Sequence, residues 1–349
     1  PFLFNMQYIY QPNEDILELM YISCKNIGKR KAAGSYYTPT RIVKNLINKL
    51  NFHNNEKILD PCCGTGNFLL QLPDNISFDS VYGNDIDISS VKIARLNMAL
   101  KYTVTTSSIY EHITELNYLT NYSNTNFQYI IGNPPWGFEF SENEKSYLNK
   151  YFKSASGKAI ESYDLFIEQS LKQLVPNGHL AFVLPEAILN VKVHTNIRKI
   201  VLHSCSIKNL DFLGNAFDNI QCPCIILDLQ YTQSSLSTLG MNVAINNQTF
   251  SINTERDIAP EYFSFTSTDD EYRVLKKIKN LNNATFLLNN ADFALGIVTG
   301  NNKKYISKEK TAENEMILKG ADISKYHINP TQNFIVFKPE RFQQVAPTE

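Results

Sequence analysis

The chain has 349 residues, 43% of them hydrophobic and 19% charged, which is enough apolar material for about two domains on the usual ~150-residue prior and excludes a disordered or fibrous protein. Its 33 Lys and Arg against 34 Asp and Glu leave a net charge of −1, which excludes a uniformly basic nucleic-acid coat. No apolar run reaches the ~18 residues of a membrane span, and the opening PFLFNMQYIYQPNED lacks the basic-then-apolar order of a signal peptide, so a cytoplasmic address without membrane contact is expected.

In chain order, NEDILELMYISCKNIGKR at 13–30 carries Ile16, Leu19, Met20 and Ile27 near a helical period, and residues 1–33 read as an N-terminal helical arm. From residue 41 the pattern alternates. RIVKNLINKL is helical, EKILD a strand, GNFLLQL a helix start, SVYGNDID a strand end, SVKIARLNMAL a helix and FQYIIG a strand. ESYDLFIEQSLKQLV follows as a helix with Phe166, Ser170, Leu171 and Leu174 on one face, then GHLAFVLP as a strand. Such alternation predicts an α/β fold with a parallel sheet, which IKNLDFLG and PCIILDLQY would close with an antiparallel pair. The Ser, Thr, Asn and Gln-rich stretch at 232–253 reads as a linker, dividing a first domain at 34–232 from a second at 233–349.

Six cysteines in so long a chain are too few for a disulfide scaffold, and no spacing forms a pair of CxxC knuckles, so no metal site is expected. Cys222 and Cys224 around Pro223 read as the entry to a buried strand, and Cys62 and Cys63 as packing beneath a glycine turn.

Two segments carry chemistry. The first is Asp60-Pro61-Cys62-Cys63-Gly64-Thr65-Gly66-Asn67-Phe68, where a strand enters a glycine turn that opens a helix. Gly64 and Gly66 let the backbone approach a bound small molecule at the edge where α/β sheets hold ligands. Asp85, about 20 residues on, has the spacing of a carboxylate that takes ribose hydroxyls, which favours a nucleoside cofactor over a structural turn. Asn67-Phe68-Leu69 stands where a dinucleotide site usually has its third glycine, and Asp60 adds a negative charge. That charge suits a sulfonium or ammonium, and S-adenosylmethionine has both.

The second segment is Asn133-Pro134-Pro135-Trp136, directly after an apolar strand. Asn-Pro turns are common, but this one should emerge on the same sheet edge as the glycine turn. The Asn133 amide and the Pro134 carbonyl, stiffened by Pro135, then offer two acceptors to an exocyclic amino group. Trp136, the sole tryptophan, offers a surface on which a base can stack.

With GSYYTP at 34–39, DPCCGTGNFL at 60–69, GNDID at 83–87 and NPPW at 133–136, the chain resembles the gamma-class N6-adenine DNA methyltransferases of bacterial restriction–modification systems. The likeness covers most of residues 30–232. It implies a Rossmann-like class I methyltransferase sheet, S-adenosylmethionine as cofactor, and methyl transfer to N6 of an adenine flipped out of double-stranded DNA. By the same resemblance the cofactor would meet Tyr37, Thr38, Asp60, Pro61, Gly64, Gly66, Asp85, Ile86 and Asn133. Catalysis would rest on Asn133, Pro134, Pro135 and Trp136, with Trp136 and Phe217 (in LGNAFDNIQCPCIIL) stacking on the target base. Asp87 is the alternative ribose ligand. Where the family has an Asp or Asn before the catalytic strand, TVTTSSIYEH offers Ser107 or Ser108, so a serine hydroxyl or a backbone group is expected at the cofactor's adenine edge.

The resemblance further implies an incomplete target-recognition domain after residue 232, as the chain stops at FQQVAPTE and starts at Pro1. This piece is expected to keep the cofactor pocket but bind DNA poorly. Such enzymes work with a restriction endonuclease, a specificity subunit or a fused nuclease domain. Competing readings are a methyltransferase for a protein glutamine or an RNA base amino group, and an inactive DNA-binding subunit. Lys303-Lys304, near Gly300, is a candidate phosphate contact in the second domain, and Lys29-Arg30-Lys31 and Lys276-Lys277 read as solvated surface.

Overall fold

The computed structural model describes residues 38–121, 124–155, 159–217, 221–234, 236–287, 290–292 and 295–345, together with Asp15, Leu17 and Tyr21. The chain divides into two compact units, 1–275 and 276–349. Of the expected N-terminal arm only Asp15, Leu17 and Tyr21 lie among the described residues, the latter two helical. Lys29-Arg30-Lys31 and Tyr37 lie outside them.

The first unit is built on β1 (Ile58–Asp60), β2 (Val81–Asp85), β3 (Ile113–Glu115), β4 (Phe127–Gly132), β5 (Leu174–Pro185), β6 (Cys205–Asn215), β7 (Pro223–Tyr231), β8 (Met241–Ile245) and β9 (Gln248–Ile252). They form one nine-stranded sheet in the order β3-β2-β1-β4-β5-β7-β6-β8-β9. The first five strands are mutually parallel, and β7 pairs antiparallel with both β5 and β6. This is the expected parallel sheet closed by an antiparallel hairpin. Ile58, Ile130, Ile131, Ala181, Phe182 and Val183 are buried, as central strands covered on both faces require.

Helices α1 (Thr40–Ile47), α2 (Asn67–Leu70), α3 (Ile88–Tyr102), α4 (Thr106–His112), α5 (Glu142–Tyr151), α6 (Ser162–Gln173) and α7 (Thr195–Ser204) connect the strands. Helix α3 starts at Asp87, whose carboxylate accepts the Ser89 N–H, and α5 starts at a Ser141–Glu144 capping box. α6 is buried at every position except Lys172, so its one-faced sequence pattern understates its burial. Leu174, read as part of that helical face, is instead the first residue of β5.

The polar stretch at 232–253 is not a linker. It holds β8 and β9, which extend the sheet through a parallel β6–β8 pairing. Met241, Val243 and Ile252 are buried while Asn242, Gln248, Thr249 and Ser251 face water. The alternation is there, but the exposed face and the Asn246-Asn247 turn dominate the composition.

In the second unit Ile306–Ser307, Phe334–Ile335 and Glu315–Met316 form a three-stranded antiparallel sheet, and Ile323–Ser324 pairs with His327–Ile328. Lys303 and Lys304 sit exposed in a short helix, Asn302–Tyr305, capped by Asn301. No helix among the described residues is long and apolar enough to cross a membrane.

Candidate functional site

Parallel pairing brings the carboxyl ends of β1 to β5 to one edge, where β6, antiparallel to β7 and so aligned with β5, also ends; every predicted site residue of the first unit that is described sits at these strand ends or on segments leaving them, apart from Thr38, which precedes α1. The glycine turn after β1 is tied to the end of β2 at three points. Asn84 Nδ2 donates to the Pro61 carbonyl (2.7 Å), the Cys63 N–H to the Asn84 carbonyl (2.9 Å), and the Gly64 N–H to Asp85 Oδ2 (2.9 Å). Gly66 ends the turn at φ +96°, a left-handed conformation that glycine adopts without strain, and caps α2. A residue of the N-terminal arm takes part: Asp15 accepts from Thr65 Oγ1 (2.5 Å) and from Asn97 Nδ2 (3.1 Å).

At the end of β2, Asp85 also accepts the Asp87 N–H through Oδ1 (2.8 Å), and a carboxylate oxygen can accept more than one donor, so these backbone contacts orient the group without excluding a ligand hydroxyl. Ile86 beside it is 64% exposed, an apolar side chain standing open at the ligand edge. Asp87 is committed elsewhere, to the start of α3 and to the Tyr21 hydroxyl (2.6 Å). Asp85 is therefore the better ribose candidate of the two.

Thr38 joins the two chemical segments. Its carbonyl accepts from Asn67 Nδ2 (2.9 Å) and its hydroxyl oxygen from Asn133 Nδ2 (3.0 Å). Gly132, just before Asn133, has φ +149°, and a Cβ there would fall 2.7 Å from Asp60 Oδ1. Around this junction Asp60 Oδ2, Asn67 Oδ1 and Asn133 Oδ1 are buried and have no hydrogen-bond partner among the described residues. Buried polar atoms without partners are costly in a native fold, so three on linked residues mark a candidate place for a ligand to supply them. Burial pushes the Asp60 carboxyl up to about 8, eased by the Cys62 N–H and reinforced by the charge of Asp85.

Trp136 and Phe217 are 7% and 6% exposed, with ring centroids 4.9 Å apart and planes at 82°. A planar base stacked between two rings needs them about 7 Å apart, two van der Waals gaps, so they must part to sandwich one. Cys63 packs beneath the turn against Gly83, and burial pushes both the Cys62 and Cys63 thiols well above their ordinary range, which disqualifies them as nucleophiles. Cys222-Pro223-Cys224 leads into β7, as expected, with Cys224 fully buried.

Ser107 and Ser108 are not at the ligand edge. They lie in α4, which precedes β3, and Thr105 caps that helix by accepting the Ser108 N–H. The polar run TTSS imitates a loop but starts a helix. The residue delivered beyond the end of β3 is Asn117, two residues after Glu115, with Leu116 N–H bonded to the Asp85 carbonyl (2.9 Å). Placing the strand at ITE would have found it.

Sequence reasoning also missed the side chains behind the Asn133–Trp136 loop. Asp164 accepts from His194 Nδ1 (2.9 Å), His194 Nε2 meets the Tyr163 hydroxyl (2.8 Å), and Ser162 Oγ donates to the Pro135 carbonyl.

The N-6 DNA Methylase family model matches residues 15–294. The chain is 28% identical over 296 residues to the type II methyltransferase M.VspI of Vibrio sp. (strain 343), covering 84% of this chain and 71% of that protein. Over 186 residues it is 25% identical to the type II methyltransferase M.HincII of Haemophilus influenzae, covering 52% of this chain but only 34% of that one. In fold it is similar to the DrdV–DNA complex, with a TM-score of 0.58 at 16% identity over 83% of this chain and 38% of that chain. With a match that spans most of its length and the glycine turn and Asn-Pro-Pro-Trp loop on one sheet edge, the chain belongs to the N-6 DNA Methylase family.

Proposed function

We propose that this chain transfers a methyl group from S-adenosylmethionine to N6 of an adenine flipped out of double-stranded DNA, as the modification activity of a restriction–modification system. The observation that carries the reading is the buried Asn133 Oδ1, without a partner among the described residues and held in orientation by the bond from Asn133 Nδ2 to Thr38. With the Pro134 carbonyl it forms a pair of acceptors matched to the two hydrogens of an amino group. Accepting both draws the nitrogen lone pair out of conjugation with the ring and aims it. The target nitrogen lies inside the base stack, so extrusion costs a few kcal/mol that Trp136 and Phe217 offset by stacking.

The residues present fit the cofactor. Bound there, it supplies a methyl group on a sulfonium that is already a strong electrophile. Asp60, Asn67, Asp85, Ile86 and the Gly64–Gly66 backbone would hold it, joined by Asn117 at the edge where Ser107 and Ser108 were expected. The chain itself contributes alignment and electrostatics, and no covalent enzyme intermediate is required. Similarity to the methylase subunit of the type I restriction enzyme EcoEI and to the type II restriction enzyme and methyltransferase RM.Eco57I, both of Escherichia coli, supports a restriction endonuclease as companion, with residues 276–349 contributing to target recognition.

The test is incubation with labelled S-adenosylmethionine and unmethylated genomic DNA, with RNA and ribosomal protein as parallel arms, followed by nucleoside mass spectrometry. N6-methyladenine in DNA is the expected product. Label only in RNA or protein would overturn the reading.

Cofactor binding should depend on pH through Asp60. Below about pH 8 the free protein holds this carboxyl neutral. A cationic ligand favours the carboxylate, so binding releases a proton and affinity rises with pH, by up to about tenfold per unit, levelling above pH 8. Calorimetry near pH 7 in two buffers of different ionisation enthalpy reads this proton release. Observed heats that are the same in both buffers, or an Asp60→Asn variant with an unchanged pH profile, would remove Asp60 from the cofactor site.

The sole tryptophan reports on the aromatic pair. Parting of Trp136 from Phe217 on base entry predicts a change in tryptophan emission when DNA joins the cofactor complex, and Phe217→Ala should alter the DNA-free spectrum toward it. Identical emission with and without DNA, under conditions of turnover, would mean that the pair stays shut.

A further inference from the structure

The loop Asn133-Pro134-Pro135-Trp136 has an unusual anchoring problem. Pro134 and Pro135 have no amide hydrogen, so the loop cannot be pinned by backbone donors at its centre, and its orientation depends on what grips its side chains and carbonyls. Thr38 grips the Asn133 side chain. The Pro135 carbonyl is gripped by the Ser162 hydroxyl, from the first residue of α6.

Ser162 is 1% exposed, and its own position is locked. The next two residues of α6 are tied to one histidine of the following connection: Tyr163 through its hydroxyl and Asp164 through its carboxylate, at 2.8 and 2.9 Å from His194. The segment bearing His194 is fastened in turn by Arg198, which donates to the carbonyls of Ile188 (2.7 Å), Val191 (2.9 Å), Pro260 (2.6 Å) and Glu261 (2.8 Å). A chain of buried polar contacts therefore ends on the peptide next to the Pro134 carbonyl.

We propose that Ser162 is a positioning residue for methyl transfer: by holding the Pro135 carbonyl it fixes the proline pair, and so the direction in which the Pro134 carbonyl meets the target amino group. Ser162 touches neither substrate nor cofactor in this role. The inference rests on the reading of Pro134 as an acceptor. Losing the tether leaves cofactor affinity and fold intact but lets the second acceptor swing, and misplacement of a reacting geometry by about 1 Å costs on the order of 10²-fold in rate.

The experiment compares wild type, Ser162→Ala and Ser162→Thr in three measurements: the single-turnover rate of methyl transfer to unmethylated genomic DNA, the cofactor Kd by calorimetry, and the thermal unfolding midpoint. Expected for the alanine variant is a rate about 10- to 100-fold lower with Kd within about twofold and an unfolding midpoint close to that of wild type, because Asn133 and Thr38 remain in place. The threonine variant, which keeps the hydroxyl, should recover most of the rate. A wild-type rate in Ser162→Ala overturns the proposal, as does a loss shared equally by rate, Kd and stability, or a threonine variant as slow as alanine. Absence of transfer to DNA by the wild-type protein overturns the functional reading itself, and the Ser162 inference falls with it.

Discussion

Asn133→Ala is expected to lower the single-turnover rate of methyl transfer by at least about 10³-fold while leaving the cofactor Kd within about threefold of wild type. The asymmetry follows from what the side chain touches. Its nitrogen donates to Thr38, and its oxygen, buried and without a partner among the described residues, is the acceptor we propose for the target amino group. Truncation removes that acceptor from a water-poor site, where a preorganised dipole is worth far more than in bulk. Asp60, the glycine turn and Asp85, which are proposed to hold the cofactor, are untouched. Thr38→Val, which leaves the acceptor but removes the oxygen that orients it, should cost less, about tenfold. A folded Asn133→Ala protein with near-normal turnover would sink the assignment.

Gly132→Ala should be the most damaging change that adds a single carbon. The position has φ +149°, and the new methyl would fall 2.7 Å from Asp60 Oδ1 and 3.3 Å from its Cγ. Asp60 cannot yield easily, since it is 1% exposed and the same oxygen accepts the Cys62 N–H at 3.1 Å. Backbone strain and the clash together should destabilise the fold by ~2–3 kcal/mol, and either relief, a displaced carboxylate or a shifted Asn133, spoils the site. The expected result is a thermal midpoint several degrees lower and cofactor affinity reduced at least about 100-fold. Wild-type melting and affinity in this variant would mean that the Asp60–Gly132 contact is not a constraint.

How much of this was legible in the chain depends on the range of the interaction. Asp60 to Gly66, Asp85 and Asn133 to Trp136 are short contiguous signals at strand ends, so periodicity located their strands and parallel connectivity brought them to one edge. Thr38 and Phe217 came only through resemblance to a family, because nothing local marks them. The hairpin of β8 and β9 was hidden because its solvent face is as polar as a linker, and Ser107 and Ser108 were misplaced because a helix start and a loop draw on the same residues.

The sequence by itself determined the alternation of strands and helices, the glycine turn, the Asn-Pro-Pro-Trp loop and the acidic residue between them, since each is written within about ten residues and obeys local steric and hydrophobic rules. Only the tertiary structure decided which partners complete them. Asp15 on Thr65, Thr38 on Asn133 and Ser162 on Pro135 pair residues 27 to 95 positions apart. Side-chain hydrogen bonds carry no periodic signature along a chain. They are selected when the packed sheet removes water and leaves each buried polar atom to find the donor or acceptor that the fold has brought within reach.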